Sequence, residues 1–232
     1  MFNPNADAAP INPLPKSVII LLCLVAFVEF ILQLGERGLI GGSAAVGWRL
    51  ELVHKYGFFD PIFELMRVNN NYNIHDLVRF FTFSFIHGSA THIIFILVFI
   101  AAIGKFVAEV YGDVILLIIF VFSGAIGALG YGVILNEDFL LIGGYPAVYG
   151  LIGAFTWVQL HILRQKKESG LKAFQLIGFF LVIQLVFKFV YSISHNDWLA
   201  EVIGFLTGFF IAFILSPVGK QLLVKIVLRL RN

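Results

Sequence analysis

Charged side chains are scarce in this sequence. Lys, Arg, Asp and Glu together make up 13% of the 232 residues, whereas about a quarter of a soluble domain is charged. Hydrophobic residues reach 59%, Phe alone occurs 26 times, and the mean hydropathy is +0.94. We therefore expect an integral membrane protein. The net charge of +2 gives no reason to expect nucleic-acid binding.

Cysteine and a secretory signal pattern are also lacking. The single cysteine, Cys23, excludes a disulfide within the chain. Residues 1–16 are rich in Asn and Pro, contain one base, Lys16, and lead to no small-residue cleavage motif. We predict that residues 1–16 are a disordered tail and that the first apolar run is a retained anchor.

Six apolar runs are close to the length of about 20 residues that a bilayer requires. They cover 17–34, 89–107, 114–135, 147–163, 171–191 and 198–216. The sequence therefore predicts an all-α membrane domain of six spans over residues 17–216. The long first loop is amphipathic and is predicted to form short helices in the membrane interface. Residues 217–232 combine an apolar face with four bases, which predicts an interfacial helix against anionic lipid.

The distribution of charge predicts the orientation of the spans. Four bases lie between residues 164 and 172, and the C-terminal tail has four more, whereas the loop with Glu137 and Asp138 has none. Basic loops stay in the cytoplasm, so both termini are predicted to be cytoplasmic. The compact chain suggests a bacterial inner (plasma) membrane.

Small residues recur on two of the predicted spans. Ala147, Gly150 and Gly153 follow one another at intervals of three, and Gly204 and Gly208 form a G-x-x-x-G motif. Such faces let transmembrane helices approach closely. We therefore predict packing seams on the fourth and sixth spans.

Two histidines, His87 and His92, flank the start of the second span. Their separation of five residues differs from the i, i+4 spacing of a helical zinc site. No thiol or carboxylate lies near them in sequence, so we interpret them as an interfacial, hydrogen-bonded pair. We expect neither a metal nor a cofactor.

Acidic residues inside the predicted spans require partners, because an isolated charge at membrane depth is costly. Glu109, near the end of the second span, is interpreted as a structural tie. Glu201, about one turn into the last span, fits a proton relay or substrate contact equally as well as a structural bond. Lys188 can extend its amine towards the interface.

Serine is rare in the spans. Ser17, Ser89, Ser123 and Ser216 are present, and none lies in a G-x-S-x-G motif. Nucleophilic catalysis needs an activated side chain beside a base. The residues alone therefore reveal no hydrolase site.

Three blocks of residues nevertheless resemble the rhomboid family of intramembrane serine proteases over about residues 79–213. The first block has an arginine, two histidines and a Gly-Glu-Gly series in the family's order. The second is Gly143 to Gly153, G-G-Y-P-A-V-Y-G-L-I-G, and the third is Ala200 to Gly208, A-E-V-I-G-F-L-T-G. The family positions retained are Arg79, Thr82, His87, His92, Gly104, Glu109, Gly112, Gly143, Tyr149, Gly153, Gly204 and Gly208.

The chain departs from the family at the catalytic positions. Tyr145 and Pro146 stand where the family has its nucleophilic Ser and the following Gly. Glu201 replaces the base His, and Ile96 replaces the Asn that helps bind the oxyanion. A phenol with a pKa of about 10 is a poor nucleophile, and a lost oxyanion donor removes about 3 kcal/mol of stabilisation. The resemblance therefore implies an inactive member.

Three functions follow from this resemblance and its departures. The first is a pseudoprotease that binds transmembrane segments of client proteins, with Tyr145 hydrogen-bonded to Glu201 where Ser and His would meet. The second is a protease with unorthodox residues, either Tyr145 with Glu201 or Ser89 with a histidine. The third is a small transport protein that uses Glu201 and Lys188. We rank the third last because no inverted repeat is present.

Overall fold

The computed structural model describes residues 13–135, 138–191 and 196–221, without the side chains of residues 184–185 and 187–191. The expectations for the N-terminal tail and for the basic C-terminal helix therefore fall mostly on residues outside this description, and so does the side chain of Lys188. Within it, Pro217 to Gln221 are helical.

The first third of the chain contains one long helix and a loop of short helices. Helix α1, Lys16–Glu36, is followed by the first loop, residues 37–89. The loop contains 3-10 turns at Gly42–Gly47 and Phe83–Phe85, and the helices α2 (Trp48–Tyr56), α3 (Asp60–Asn69), α4 (Ile74–Leu77) and α5 (Arg79–Thr82). The predicted short helices are thus present.

Five helical segments complete the bundle. The second span, Ala90–Tyr111, consists of α6 (Ala90–Phe99), a π turn at Ile100–Gly104 and α7 (Lys105–Tyr111). The remaining helices are α8 (Asp113–Ile134), α9 (Tyr145–Gln165), α10 (Gln175–Tyr191, after a 3-10 turn at Gly170–Phe174) and α11 (Trp198–Leu215). Among the described residues, five helices are long and apolar enough to cross a membrane, and a shorter apolar helix accompanies them. The predicted all-helical fold class is confirmed.

Helix α9 occupies the centre of the bundle, between α8 and α11. About two-thirds of its apolar window, 67%, is buried, compared with at most 44% in the other candidate spans. A Cβ atom added at Gly208 would collide with the carbonyl oxygen of Gly150, and one at Gly153 with the carbonyl oxygen of Phe205. The predicted seam between the fourth and sixth spans is therefore confirmed.

A strand pairing fixes the first loop to the bundle, and side-chain hydrogen bonds tie segments of the loop to one another. Phe58–Phe59 pairs antiparallel with Leu140–Leu141, between α8 and α9. Arg79 donates to the carbonyl oxygens of His54 and Gly57 at 2.8 and 3.0 Å, and Thr82 donates to that of Tyr56 at 2.8 Å. The strand pairing was not predicted from the sequence.

The opposite end of the bundle is closed by side chains that cap or bridge helices. The Ser17 hydroxyl donates to Asp113 at 2.5 Å, and the phenol of Tyr111 donates to the carbonyl oxygen of Ala212 at 3.1 Å. Gly112, at φ +88°, separates α7 from α8. This left-handed conformation favours glycine and lets the chain reverse without a longer loop.

Candidate functional site

The residues that the resemblance assigns to the family's catalytic positions lie at the end of the bundle that holds the first loop. Tyr145 begins α9, His92 lies in the first turn of α6, and His87 lies in the segment just before α6. Glu201 lies in the first turn of α11. The fold therefore gathers side chains that are more than 50 residues apart in sequence.

His92 packs against Tyr145. Their ring centroids are 4.7 Å apart and the rings are nearly parallel, with an interplanar angle of 16°. A stacked aromatic pair of this kind contributes about 0.5–1.5 kcal/mol beyond the area that it buries. The phenol of Tyr145 is thus part of a packed aromatic pair.

His87 is buried behind this pair, with 1% of its surface exposed. Its ring meets that of His92 edge-on at 5.1 Å, and its Nε2 accepts the N–H of Gly144 at 3.4 Å. Burial, helped by the nearby His92 and Arg49, lowers the pKa of His87 to about 4. A neutral imidazole is consistent with its role as a hydrogen-bond acceptor.

The two glycines before Tyr145 allow the close packing of these rings. Gly143 has φ +97°, and a Cβ atom there would collide with the ring of His92. A Cβ atom on Gly144 would lie 3.2 Å from the side chain of Ile96. Only glycine fits both the backbone conformation and the space at position 143.

Ile96, which the resemblance assigns to the oxyanion position, has an apolar side chain. It is fully buried, at 0% exposure, and belongs to the main apolar core. An isoleucine side chain has no N–H or O–H to donate. Ile96 therefore contributes to core packing and offers no donor to a negative charge on a reacting carbonyl.

Glu201 contacts α9 through a tyrosine that the sequence interpretation did not pair with it. Glu201 and Tyr149 are 4% and 2% exposed, and the Glu201 carboxyl lies near the phenols of both Tyr149 and Tyr145. The expected hydrogen bond between Tyr145 and Glu201 stays a prediction. Tyr149 follows Tyr145 by four residues, so the i, i+4 spacing could have indicated it.

Two serines considered as nucleophiles have structural positions. The hydroxyl of Ser89 caps α6 by accepting the backbone N–H of His92 at 3.2 Å. Ser123 is fully buried in α8 against Gly150 of α9. Among the described residues, no serine hydroxyl shows a hydrogen bond to a histidine ring.

Two other retained family positions, Glu109 and Gly104, lie away from this site. Glu109 forms an ion pair of 3.9 Å with Lys105, one turn earlier in α7. Gly104 faces Leu116 and Leu151 in the core. In the part of the chain that the structure describes, no three His, Cys, Asp or Glu side chains form a metal-binding cluster.

Sequence reasoning missed a charged cluster beside the site. Arg49 of the first loop pairs with Glu29 and Glu36 of α1 and donates to the carbonyl oxygen of His87. Glu29 could have indicated this cluster, because a carboxylate inside a predicted span requires a cation nearby.

Comparison with known protein families identifies the fold independently. A family model described as the Rhomboid domain matches residues 75–218, more than half of the chain. The match extends from α4 to the residues just after α11 and includes Tyr145 and Glu201. No curated protein matches the chain.

Proposed function

This chain belongs to the rhomboid family of multi-pass membrane proteins, and on that premise we propose that it is a pseudoprotease that binds transmembrane segments of client proteins. The observation that carries this proposal is the packing of Tyr145, at the nucleophile position, against His92. The binding role serves the trafficking, quality control or assembly of its clients.

Peptide cleavage by the family's chemistry requires a nucleophile, a base and an oxyanion donor. The three positions hold Tyr145, Glu201 and Ile96. The phenol ring is stacked, the carboxyl is buried near Tyr149, and the isoleucine is buried. Each replacement turns a reactive or donating group into a packing contact, which supports loss of proteolysis with retention of the fold.

We place the path for a client segment between α6 and α10. Phe180 of α10 contacts Phe99 of α6 at 4.7 Å and Tyr149 of α9 at 6.5 Å. Ring contacts of this kind contribute about 0.5–1.5 kcal/mol each, so they separate at small cost. A client helix that displaces Phe180 would reach Tyr149, directly beside Glu201.

The proposal is tested by site-specific photocrosslinking in native membranes. A photoreactive phenylalanine analogue replaces Phe99 in one variant and Phe122, exposed on α8, in the control. We expect client transmembrane segments to be captured at position 99 and not at position 122. Equal capture at both positions would contradict binding between α6 and α10.

Proteolysis and transport give different results in companion assays. Cleavage of a transmembrane substrate that is lost on Tyr145→Phe or Glu201→Gln would establish an unorthodox protease. Labelling by a fluorophosphonate that is lost on Ser89→Ala would implicate that serine. Proton-coupled uptake into vesicles that is abolished by Glu201→Gln would establish transport.

A further inference from the structure

Arg49, in α2 of the first loop, lies between two acidic residues of α1. Its Nη1 and Nη2 donate to the carboxylate of Glu29 at 3.0 and 2.8 Å. Its Nη2 and Nε donate to the carboxylate of Glu36, the former at 3.2 Å. Gln33 also donates to Glu29, at 2.9 Å. The guanidinium is therefore fixed by two carboxylates on one helix.

The remaining N–H of this guanidinium points at the site. Nη1 also donates to the backbone carbonyl oxygen of His87, so the five N–H groups of the arginine are matched by five hydrogen bonds. The side chain of Arg49 is 12% exposed, and hydrogen bonding to Glu29 raises its pKa above the usual value. It is a permanent cation that lysine, with three donors on one nitrogen, cannot reproduce.

His87 connects this cluster to the start of α9. Its carbonyl oxygen accepts from Arg49, and its ring Nε2 accepts the N–H of Gly144 at 3.4 Å. Gly144 immediately precedes Tyr145, the first residue of α9. A continuous series of hydrogen bonds therefore leads from α1 through Arg49 and His87 to the site.

Stability alone explains such a cluster poorly. Removing charges from water is costly, and buried ion pairs are often no more stabilising than apolar residues of similar volume. The cluster lies at the margin of the bundle, and its two carboxylates carry one more negative charge than the arginine can neutralise. The cluster instead fixes the direction of the N–H group that donates to the carbonyl oxygen of His87.

We propose that Arg49 is a positioning residue for the site, holding the His87 backbone in place so that its ring can hold Gly144 and the entry to α9. The position of the first loop is thereby coupled to the position of Tyr145. The inference rests on the proposed function in one respect, namely that the site so held is the one that receives client segments.

Hydrogen exchange at the Gly144 amide tests this coupling in the full chain, reconstituted in lipid nanodiscs without any client. In Arg49→Lys we expect exchange at Gly144 to be faster by roughly tenfold, the factor that loss of a charge-assisted hydrogen bond gives. The 15N signal of the His87 ring should shift in the same variant.

Arg79→Lys is the matched control. Arg79 also lies at the site end and donates to two first-loop carbonyl groups, and the hydrogen bonds shown for it do not involve His87. Its replacement should leave Gly144 exchange and the His87 signal unchanged. Unchanged Gly144 exchange in Arg49→Lys, or an equal increase in Arg79→Lys, would overturn the proposal.

A milder variant keeps the test decisive if Arg49→Lys fails to fold. Glu36 is 35% exposed at its side chain, against 7% for Glu29, and Glu36→Gln leaves the pair with Glu29 intact. We expect exchange at Gly144 to rise by about two- to fivefold, since one of the two anchors is weakened. No increase in this variant would overturn the proposal.

The outcome is separable from that of the proposed function. Gly144 exchange is measured without a client. If the exchange rate does not respond to Arg49→Lys, the positioning role is rejected and the proposal of client binding is unaffected. Absence of client capture at position 99, with Gly144 exchange responding to Arg49→Lys, rejects client binding and leaves the positioning role intact.

Discussion

The ring of His92 lies 4.7 Å from the ring of Tyr145 and only 16° from parallel to it. The resemblance to the rhomboid family assigns the first residue to a retained position and the second to the nucleophile position. Their stacking accommodates a large aromatic side chain at the start of α9. The His92 ring can pack in this position because Gly143 has no side chain to collide with it.

Removing the stacked ring should destabilise the site. Tyr145→Ala loses the contact with His92 and leaves a cavity, so we expect the free energy of unfolding to fall by about 2–4 kcal/mol. Tyr145→Phe keeps the ring and should cost less than about 1 kcal/mol. Thermal unfolding of the reconstituted variants measures both values. Similar losses in the two variants would show that the hydroxyl, not the ring, matters.

The proximity of the buried side chains of Tyr149 and Glu201 should couple α9 to α11. Tyr149→Phe and Glu201→Gln are each expected to lower the free energy of unfolding by about 1–3 kcal/mol, because a buried polar group loses its partner. In the double variant the losses should be less than additive. Thr207→Val, which removes a hydroxyl bonded only within α11 to the carbonyl oxygen of Ile203, serves as the control. Strict additivity would contradict the coupling.

The seam between α9 and α11 should tolerate no added side chain. A Cβ atom at Gly208 meets the backbone of Gly150, whereas one at Gly178 of α10 has no neighbour within 4 Å. Gly208→Ala is therefore expected to destabilise the bundle by at least about 2 kcal/mol or to prevent folding, since backbone atoms cannot move aside cheaply. Gly178→Ala should be neutral or slightly stabilising. Equal effects in the two variants would argue against the seam.

Burial of His87 predicts a dependence of stability on pH. Its pKa is lowered from 6.5 to about 4 in the folded chain, so the unfolded chain binds the additional proton between these values. The contribution of neutral His87 to the free energy of unfolding is then fully present above about pH 6.5. It is lost as the pH falls towards 4, which lowers the free energy of unfolding by up to about 3 kcal/mol. Unfolding measured from pH 7.5 to 4 should show this loss in the parent chain. A His87→Gln variant that retains the same loss would assign it to other groups.

Regular features of the fold were accessible from the sequence. Hydrophobic runs located the helices, because burying apolar residues in a bilayer depends on length and composition. The spacing of Gly204 and Gly208 located a seam, since small residues at i and i+4 share one helix face. The family resemblance then predicted that the catalytic positions lie close together.

Contacts between residues that are distant in sequence could not be predicted in the same way. Phe58–Phe59 joins Leu140–Leu141 across about 80 residues, and two-residue strands leave no periodic pattern. How close Tyr145 and Tyr149 come to Glu201 depends on the rotation of α9 about its axis, which is set by packing against α8 and α11. Arg49 has three partners that lie on α1 and before α6, and local sequence could not identify them together.

The most direct test of the account is a search for new peptide termini in transmembrane substrates. The purified protein is reconstituted in lipid bilayers with a panel of single-span substrates, and the products are examined by mass spectrometry. The account predicts that every substrate remains intact, as it does in a matched sample of Tyr145→Phe. Cleavage within a transmembrane segment that disappears in Tyr145→Phe or in Glu201→Gln would contradict it.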